Sequence, residues 1–321
     1  MNKLLDIMTY RREHDSKGEK AFIKKYLKSF NPIMNKTGEI IAYSFEVKKK
    51  SKNKILWSCH IDTMHRSDPN TIKQNVYVDQ FDVAFVDDKD DCLGADDGAG
   101  VFLLLEMIEA RIAGTYIFHR GEEKGCWGSS QLASDHEDFL KTFTHAIAFD
   151  RKGTTSIITH QSGSRACSDK VGLQLASLFG MNYRLDDTGV YTDTAEYTHL
   201  IPECLNISIG YADEHTSKES LNVAHVLTLR GKILSIPWGS IALEVDRKPE
   251  PKYSRYGQFN FDYGLAYDDL LYMNGDQIKK WAKTASPQEI TYLIQDLVSQ
   301  ISYYEEGYQM ACDDPNQEIP F

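Results

Sequence analysis

Apolar residues along this chain follow two spacings, one typical of helices and one typical of strands, and the two kinds of segment alternate. The segments with helical spacing are 2–29 (broken near 15–18), 128–134, 168–179 and 220–234. The short apolar runs that predict strands are 40–47, 54–59, 116–119, 145–149, 156–160 and 204–209, while 76–86 predicts one strand or a hairpin. Alternation of this kind predicts an α/β fold with a mainly parallel central sheet and helices on both faces.

The regular pattern ends near residue 235, and we therefore predict a first domain over 1–235. Prolines, tyrosines and glycines in 235–264 indicate irregular chain or a short edge hairpin. A last helix is expected from Ser286, because Ser286, Pro287 and Glu289 occupy the N-cap, N1 and N3 positions. We expect 236–321 to form a C-terminal extension, irregular and then helical, that packs on the same domain.

Composition narrows the class of protein. The chain has 321 residues, 41% of them apolar, which is enough for a full core. Its net charge of −11 argues against a nucleic-acid groove, which needs a basic face. No run reaches the length of a membrane span, and the N-terminus does not have the pattern of a signal peptide. The 6 cysteines are scattered without a Cys-x-x-Cys pair, so we expect reduced thiols and a cytoplasmic protein.

A glycine-rich acidic turn, 93–100, lies at the centre of the chain. It places Asp96 and Asp97 between small residues, directly before an apolar helical run that we expect to continue to about Ala113. One carboxylate here is accounted for as an acidic helix cap. The second needs another partner, because a charge beside a buried helix is costly unless it is paired or bound.

Other polar residues that can bind metals follow predicted strands. His60 directly follows the run 54–59, and Asp150 directly follows the run 145–149. Glu122 and Glu123 follow the run 116–119, and His215 lies just past 204–209. Because ligands bind outside the carboxyl ends of strands in open α/β sheets, we expect these groups to meet near the acidic turn.

The donor chemistry predicts a two-metal site. Two imidazoles and three carboxylates, one of them bridging, suit Zn²⁺, with Co²⁺ or Mn²⁺ as substitutes. Three carboxylates and a bridging hydroxide balance two divalent cations. Asp62 then remains to orient the His60 ring, and Glu122 to accept a proton from the bridging water.

Five motifs together resemble the dizinc exopeptidases of the bacterial aminopeptidase and glutamate-carboxypeptidase type, over roughly 15–235. They are His60-x-Asp62, 94–98, Glu122-Glu123, Asp150 and 214–216. The resemblance implies a phosphorylase/hydrolase-like zinc peptidase fold and a cis Asp96–Asp97 peptide bond. It also implies the following roles: Asp96 as bridge, His60 and Asp150 at one metal, Glu123 and His215 at the other, Glu122 as general base, and Asp62 as support for His60.

Spacing narrows the branch of the family. Asp150 and His215 are only 65 positions apart, which leaves no room for the lid or dimerisation domain of two-domain relatives. The chain therefore resembles the single-domain aminopeptidase branch. Tyr191 and Asp193 occupy the region where that branch carries a substrate-side loop, and the resemblance extends a substrate-binding role to them.

These features favour a zinc-dependent aminopeptidase that hydrolyses small peptides through a metal-bridged hydroxide. A carboxypeptidase or an N-acyl amino acid amidohydrolase is the alternative, and Arg151, Lys152 and Arg165 keep it open. A second alternative is a non-catalytic, metal-stabilised binding protein, although such a site would not need Glu122. We expect a small peptide or N-acyl amino acid as the partner, with no nucleic acid or membrane. The sequence makes no prediction about the oligomeric state.

Overall fold

The computed structural model describes residues 1–66, 70–87 and 91–249, together with Lys283. The α-helices, in chain order, are α1 (Asn2–Met8), α2 (Lys17–Phe22), α3 (Ala95–Glu109), α4 (Trp127–Asp135), α5 (Glu137–Leu140), α6 (Asp169–Phe179) and α7 (Val223–Ser235). A π-helical turn, Ile23–Leu27, extends α2, and a 3₁₀ turn spans Asp193–Tyr197.

Strands fill the segments between these helices. In chain order they are β1 (Asn31–Met34), β2 (Ile40–Val47), β3 (Ile55–His60), β4 (Tyr77–Val78), β5 (Val83–Phe85), β6 (Gly114–His119), β7 (His145–Arg151), β8 (Ser156–Ile158), β9 (His160–Gln161), β10 (Ser164–Arg165), β11 (Arg184–Asp186), β12 (Glu203–Ser208), β13 (Tyr211–Ala212) and β14 (Ser220–Asn222).

The central sheet has 8 strands in the order β1-β2-β6-β3-β7-β12-β8-β11. Its four middle strands, β6, β3, β7 and β12, are parallel to one another. Antiparallel pairing occurs between β1 and β2, between β2 and β6, and between β12 and β8. The predicted mainly parallel sheet is confirmed, and the carboxyl ends of its middle strands lie along one edge.

Helices cover both faces of this sheet, because alternate residues of each strand point to opposite sides. On β3, Trp57 packs in the same apolar cluster as residues of α1, α3, α6 and α7, while its neighbour Leu56 packs with residues of α4 and α5 on the other face. Both side chains are fully buried. The long run 101–105 of α3 is apolar all round because this helix is buried throughout that stretch.

A second sheet of 4 strands has the order β13-β14-β5-β4. For residues 76–86, predicted as one strand or a hairpin, this sheet shows a hairpin in which Tyr77 lies opposite Phe85. It also corrects the helix predicted over 220–234. Residues 220–222 form β14, which pairs with β5, and α7 begins only after Asn222, whose side chain accepts a hydrogen bond from the His225 N–H.

Other differences are at element ends. The helix predicted over 2–29 is divided into α1, α2 and the π-helical turn, with 9–16 outside any helix, and α3 ends at Glu109. The elements that were not predicted are short: β1, α5, β9, β10, β11, β13 and the 3₁₀ turn. All 5 cysteines in the described part are buried and free. None of the helices described is long and apolar enough to cross a membrane.

The predicted domain boundary near 235 stays a prediction. Residues 236–249 continue past α7 without a helix or strand. Trp238 in this stretch packs edge to face on Trp57, with ring centroids 4.9 Å apart. The helix expected from Ser286 lies outside the described residues.

Candidate metal centre and active site

The predicted site residues meet at the edge formed by the carboxyl ends of the parallel strands. His60 is the last residue of β3, and Asp150 is the last but one of β7. Glu122 and Glu123 follow β6 within a turn, and His215 lies in the loop between β13 and β14. The acidic turn before α3 brings Asp96 to the same point.

Asp96 lies between the two histidines. Its Oδ1 is 2.9 Å from His60 Nε2, and its Oδ2 is 3.3 Å from His215 Nε2. His60 Nε2 is also 3.6 Å from Asp150 Oδ1, and His215 Nε2 is 3.1 Å from Glu123 Oε2. Two three-residue groups therefore share Asp96, and within each the donor atoms lie within 4.8 Å of one another.

This arrangement fits a pair of divalent ions. Each group offers one imidazole nitrogen and carboxylate oxygens, the donors that zinc accepts. Glu123 Oε1 is buried and has no hydrogen-bond partner among the described residues, which leaves an unsatisfied acceptor on a side chain whose other oxygen faces His215. Burial also raises the pKa of Glu123 to about 7, as expected for carboxylates crowded together without cations.

Charge in the centre is balanced locally by the histidines. Burial opposes ionisation of Asp96, but hydrogen bonds from His215 and His60 outweigh it and hold the pKa of that carboxyl well below its usual value. Although desolvation acts in the other direction, the same contacts raise the pKa of His215 to about 11.

The acidic turn has the backbone geometry that brings both aspartates inward. Gly94 has φ 72°, a conformation that glycine adopts without strain. The Asp96–Asp97 peptide bond is cis, as the resemblance implied. Asp97 is fully buried, accepts a hydrogen bond from the Gly100 N–H at 3.0 Å and another from the His60 N–H at 3.2 Å. Asp97 thus caps α3 and holds the end of β3, while Asp96 faces the centre.

Glu219 supports this turn, and the sequence analysis did not identify it. Its carboxylate is buried and accepts hydrogen bonds from the Gly94 N–H at 2.9 Å and the Asp96 N–H at 3.0 Å. The one available signal was an acidic residue four positions after His215. That signal alone does not show which backbone groups Glu219 would meet.

Asp150 has three supporting partners that were also missed. The Thr192 hydroxyl donates to Asp150 Oδ2 at 2.7 Å, and the Tyr211 hydroxyl donates to Oδ1 at 3.3 Å. The backbone N–H of Asp150 donates to Asn206 Oδ1 at 2.9 Å. These contacts fix the orientation of the Asp150 carboxylate, and burial raises the pKa of that group.

The two adjacent glutamates both reach the site because the chain turns after β6. Gly121 has φ 70°, and the turn that the glycines there were expected to permit is present. Asp62 fixes it, because its carboxylate accepts the N–H of Glu122 at 3.2 Å and of Glu123 at 3.1 Å. Burial raises the pKa of Glu122 well above its usual value.

The predicted contact from Asp62 to the His60 ring differs in detail. His60 Nδ1 lies 3.0 Å from the backbone carbonyl oxygen of Asp62, and 3.9 Å from its carboxylate, beyond hydrogen-bond range. The reason is that β3 ends at His60, so Asp62 is no longer on the strand and its carboxylate turns toward the glutamates.

An open cavity leads to the centre. The residues that line it include Glu122, Asp150, Arg151, Lys152, Tyr191 and His215. Asp193, for which a substrate-binding role was predicted, and Arg165, which kept the carboxypeptidase alternative open, do not line this cavity. Asp193 is only 2% exposed, and burial raises its pKa to about 8. Arg165 is not among the lining residues and pairs with Asp169 at 2.8 Å.

Comparison with known proteins agrees with this geometry. Residues 41–197 match the model of Peptidase family M28. This stretch is therefore similar to the M28 peptidases, and the resemblance of the chain to the dizinc exopeptidases is confirmed. A search of curated proteins finds no match.

Solved structures share the fold at low sequence identity. Aminopeptidase PepT from Bacillus cereus ATCC 10987 has a TM-score of 0.59 at 14% identity, over 73% of this chain and 95% of that chain. A tripeptidase from Staphylococcus aureus subsp. aureus Mu50 has a TM-score of 0.57 at 14% identity, with the same coverage. TET aminopeptidase from a marine sediment archaeon, Thaumarchaeota archaeon SCGC AB-539-E09, has a TM-score of 0.56 at 12% identity, over 76% and 98%.

Proposed function

We propose that this protein is a co-catalytic dizinc aminopeptidase that acts on small peptides. The observation that carries the proposal is the position of Asp96, whose two carboxylate oxygens face two different histidines. M28 peptidases generally use zinc, and the similar structures named above are described as aminopeptidases or a tripeptidase. Both facts favour this chemistry over other two-metal hydrolases.

The residues have distinct roles in the proposal. His60 and Asp150 would hold one ion, Glu123 and His215 the other, and Asp96 would bridge them. When bound, the ions would lower the pKa of a water molecule and polarise the scissile carbonyl. Co²⁺ and Mn²⁺ accept the same donors and are expected to substitute for zinc.

Glu122 is the proposed general base. Its carboxylate lies in the cavity wall, beside Glu123, and its backbone is held by Asp62. As the water oxygen attacks the carbonyl carbon, Glu122 takes the water proton and then delivers it to the departing amine nitrogen. A buried carboxylate with a raised pKa suits both steps, because it binds the proton readily while remaining able to return it.

Tyr191 is the proposed substrate-side donor, because it lines the same cavity as Asp96, Asp150 and His215. A hydroxyl there would stabilise the oxyanion that forms as water adds to the carbonyl. Asp193 is buried and does not line the cavity, so we assign it no direct contact with substrate.

A carboxypeptidase or N-acyl amino acid amidohydrolase is the second candidate. Arg151 and Lys152 line the cavity and favour recognition of a carboxylate. Lys152, however, lies 2.7 Å from Glu214, so its charge is already paired. A non-catalytic metal-stabilised protein is the third candidate. The buried Glu122 argues against it, because a structural site has no use for a base.

Three matched tripeptides separate these candidates. Trialanine, its N-acetyl derivative and its C-terminal amide would each be incubated with protein reconstituted with Zn²⁺, and the products identified by mass spectrometry. An aminopeptidase releases the first residue from trialanine and its amide but leaves the acetylated peptide intact. Cleavage of the acetylated peptide alone, or loss of the last residue, would contradict the assignment. Glu122→Gln is the control for contaminating peptidase.

We also propose a cytoplasmic location, because the described cysteines are reduced and buried in an acidic chain.

A further inference from the structure

Arg12 is a fully buried cation in the N-terminal segment, outside the range matched by the family model. Its guanidinium donates from Nε to the Ile61 carbonyl at 2.7 Å, from Nη1 to the Ile7 carbonyl at 2.9 Å and from Nη2 to the Gly94 carbonyl at 2.9 Å. Within the described part of the chain, the hydrogen-bond acceptors of this side chain are all backbone oxygens. A buried, charged side chain that donates its hydrogen bonds to backbone carbonyls fixes the path of the main chain there.

Two of these carbonyls belong to segments that carry proposed metal ligands. Ile61 directly follows His60, and Gly94 begins the turn that presents Asp96. The backbone of Arg12 adds to the connection, because its N–H donates to the Thr63 hydroxyl and its carbonyl accepts from the Thr63 N–H, each at 3.1 Å. Residue 12 therefore joins the end of β3 to the acidic turn, and it is not among the residues that line the cavity.

The fit around the guanidinium is close. A Cβ atom at Gly98, on the first turn of α3, would lie 2.7 Å from Arg12 Nη2 and 3.1 Å from Met8. Arg12 also carries a positive charge near Asp97, Glu219 and Asp62, which are the acids that support the ligand segments. The turn is thus held on two sides, with Arg12 on the Gly94 carbonyl and Glu219 on the Gly94 N–H.

We propose that Arg12 is a positioning residue for the metal centre, and that it sets the separation of His60 and Asp96 through their backbones. This inference rests on the proposed two-metal function. A lysine would keep the charge but could not reach both carbonyls with one ammonium group, because the planar fork of arginine supplies donors in several fixed directions. Charge alone should therefore not restore the site.

The test measures metal affinity as well as activity. Zn²⁺ and Co²⁺ would be titrated calorimetrically into metal-free wild type, Arg12→Lys and Arg12→Gln, well below each melting temperature. We expect both variants to bind the ions about 10–100-fold more weakly, as for other residues that orient metal ligands. Leu4→Ala is the matched control, since Leu4 is a fully buried residue of the same N-terminal segment and contacts the core. It should lower the melting temperature without weakening metal binding.

The outcomes are distinct. If wild type binds fewer than two ions, the proposed function fails and this inference fails with it. Wild type is expected to bind two ions. If it does, and both Arg12 variants bind the ions with affinities within twofold of the wild-type value, only the positioning role is overturned. The positioning role would also be overturned if Leu4→Ala lost as much melting temperature as the Arg12 variants and its metal affinity fell equally. Should Arg12→Gln not fold, Gly98→Ala keeps the charge and displaces the guanidinium, and it should weaken binding too. Failure of all three variants to fold would assign Arg12 to stability alone.

Discussion

Removal of the Glu219 carboxylate should destabilise the acidic turn and weaken metal binding together. Glu219→Ala leaves the Gly94 and Asp96 N–H groups buried without their acceptor, which lies at 2.9 and 3.0 Å in the wild type. A buried donor left unsatisfied costs about 1–3 kcal/mol, so the free energy of unfolding should fall by about 2–6 kcal/mol. Glu219→Gln keeps one acceptor oxygen, and about half of that loss is expected.

Glu203 provides a matched control for this prediction. Its carboxylate is also buried and accepts three backbone N–H groups, from Ser168 at 2.7 Å, Asp246 at 2.8 Å and Arg247 at 2.9 Å. The residue lies at the start of β12, at the opposite end from the site. Glu203→Gln should therefore lose stability in the same way while metal affinity stays unchanged.

Urea unfolding of the metal-free proteins gives the stability change, and zinc titration gives the affinity. The reasoning predicts that Glu219→Gln loses both stability and about 10-fold or more in zinc affinity, whereas Glu203→Gln loses only stability. It is refuted if Glu219→Gln binds zinc as tightly as wild type, or if the two variants weaken zinc binding equally.

Three further predictions concern the site and one buried histidine. Glu122→Gln should retain both metals while kcat falls by about 10²-fold or more, and Glu123→Ala should lose metal; the reverse pattern in metal analysis would exchange their roles. Tyr191→Phe should lower kcat by about 10²-fold if its hydroxyl stabilises the oxyanion, and an unchanged kcat would limit the residue to specificity. Burial lowers the pKa of His145 to about 4 from 6.5, so the unfolded chain binds the extra proton. Its contribution to stability is complete above pH 6.5 and falls by up to about 3 kcal/mol as pH drops toward 4. In His145→Gln the melting temperature should decline less over that range, and an identical decline would show that another group titrates.

The convergence of the proposed metal ligands could be predicted because it follows from local patterns. His60 and Asp150 each end an apolar run, and parallel strands align their carboxyl ends. The turn at Gly121 followed from glycines beside two acids that both needed to face one point. Such inferences need only the order of elements along the chain and the chemistry of the side chains.

The supporting contacts could not be predicted in this way. Glu219 and Gly94 are 125 positions apart, and Arg12 and Gly94 are 82 apart. No periodicity records which distant backbone group a buried polar side chain will meet. The strand β14 was missed for a related reason. Three residues are too few to show the alternation of apolar and polar positions that predicts a strand, and their pairing with β5 decides their conformation.

Metal stoichiometry measured together with activity tests the central claim most directly. Metal-free protein would receive Zn²⁺ in steps from zero to four equivalents, with bound zinc determined by elemental analysis and trialanine hydrolysis followed at each step. The two-metal assignment predicts saturation at two ions per chain, with full activity reached only when both are bound. Saturation at one ion, or full hydrolysis by the metal-free protein, would contradict it.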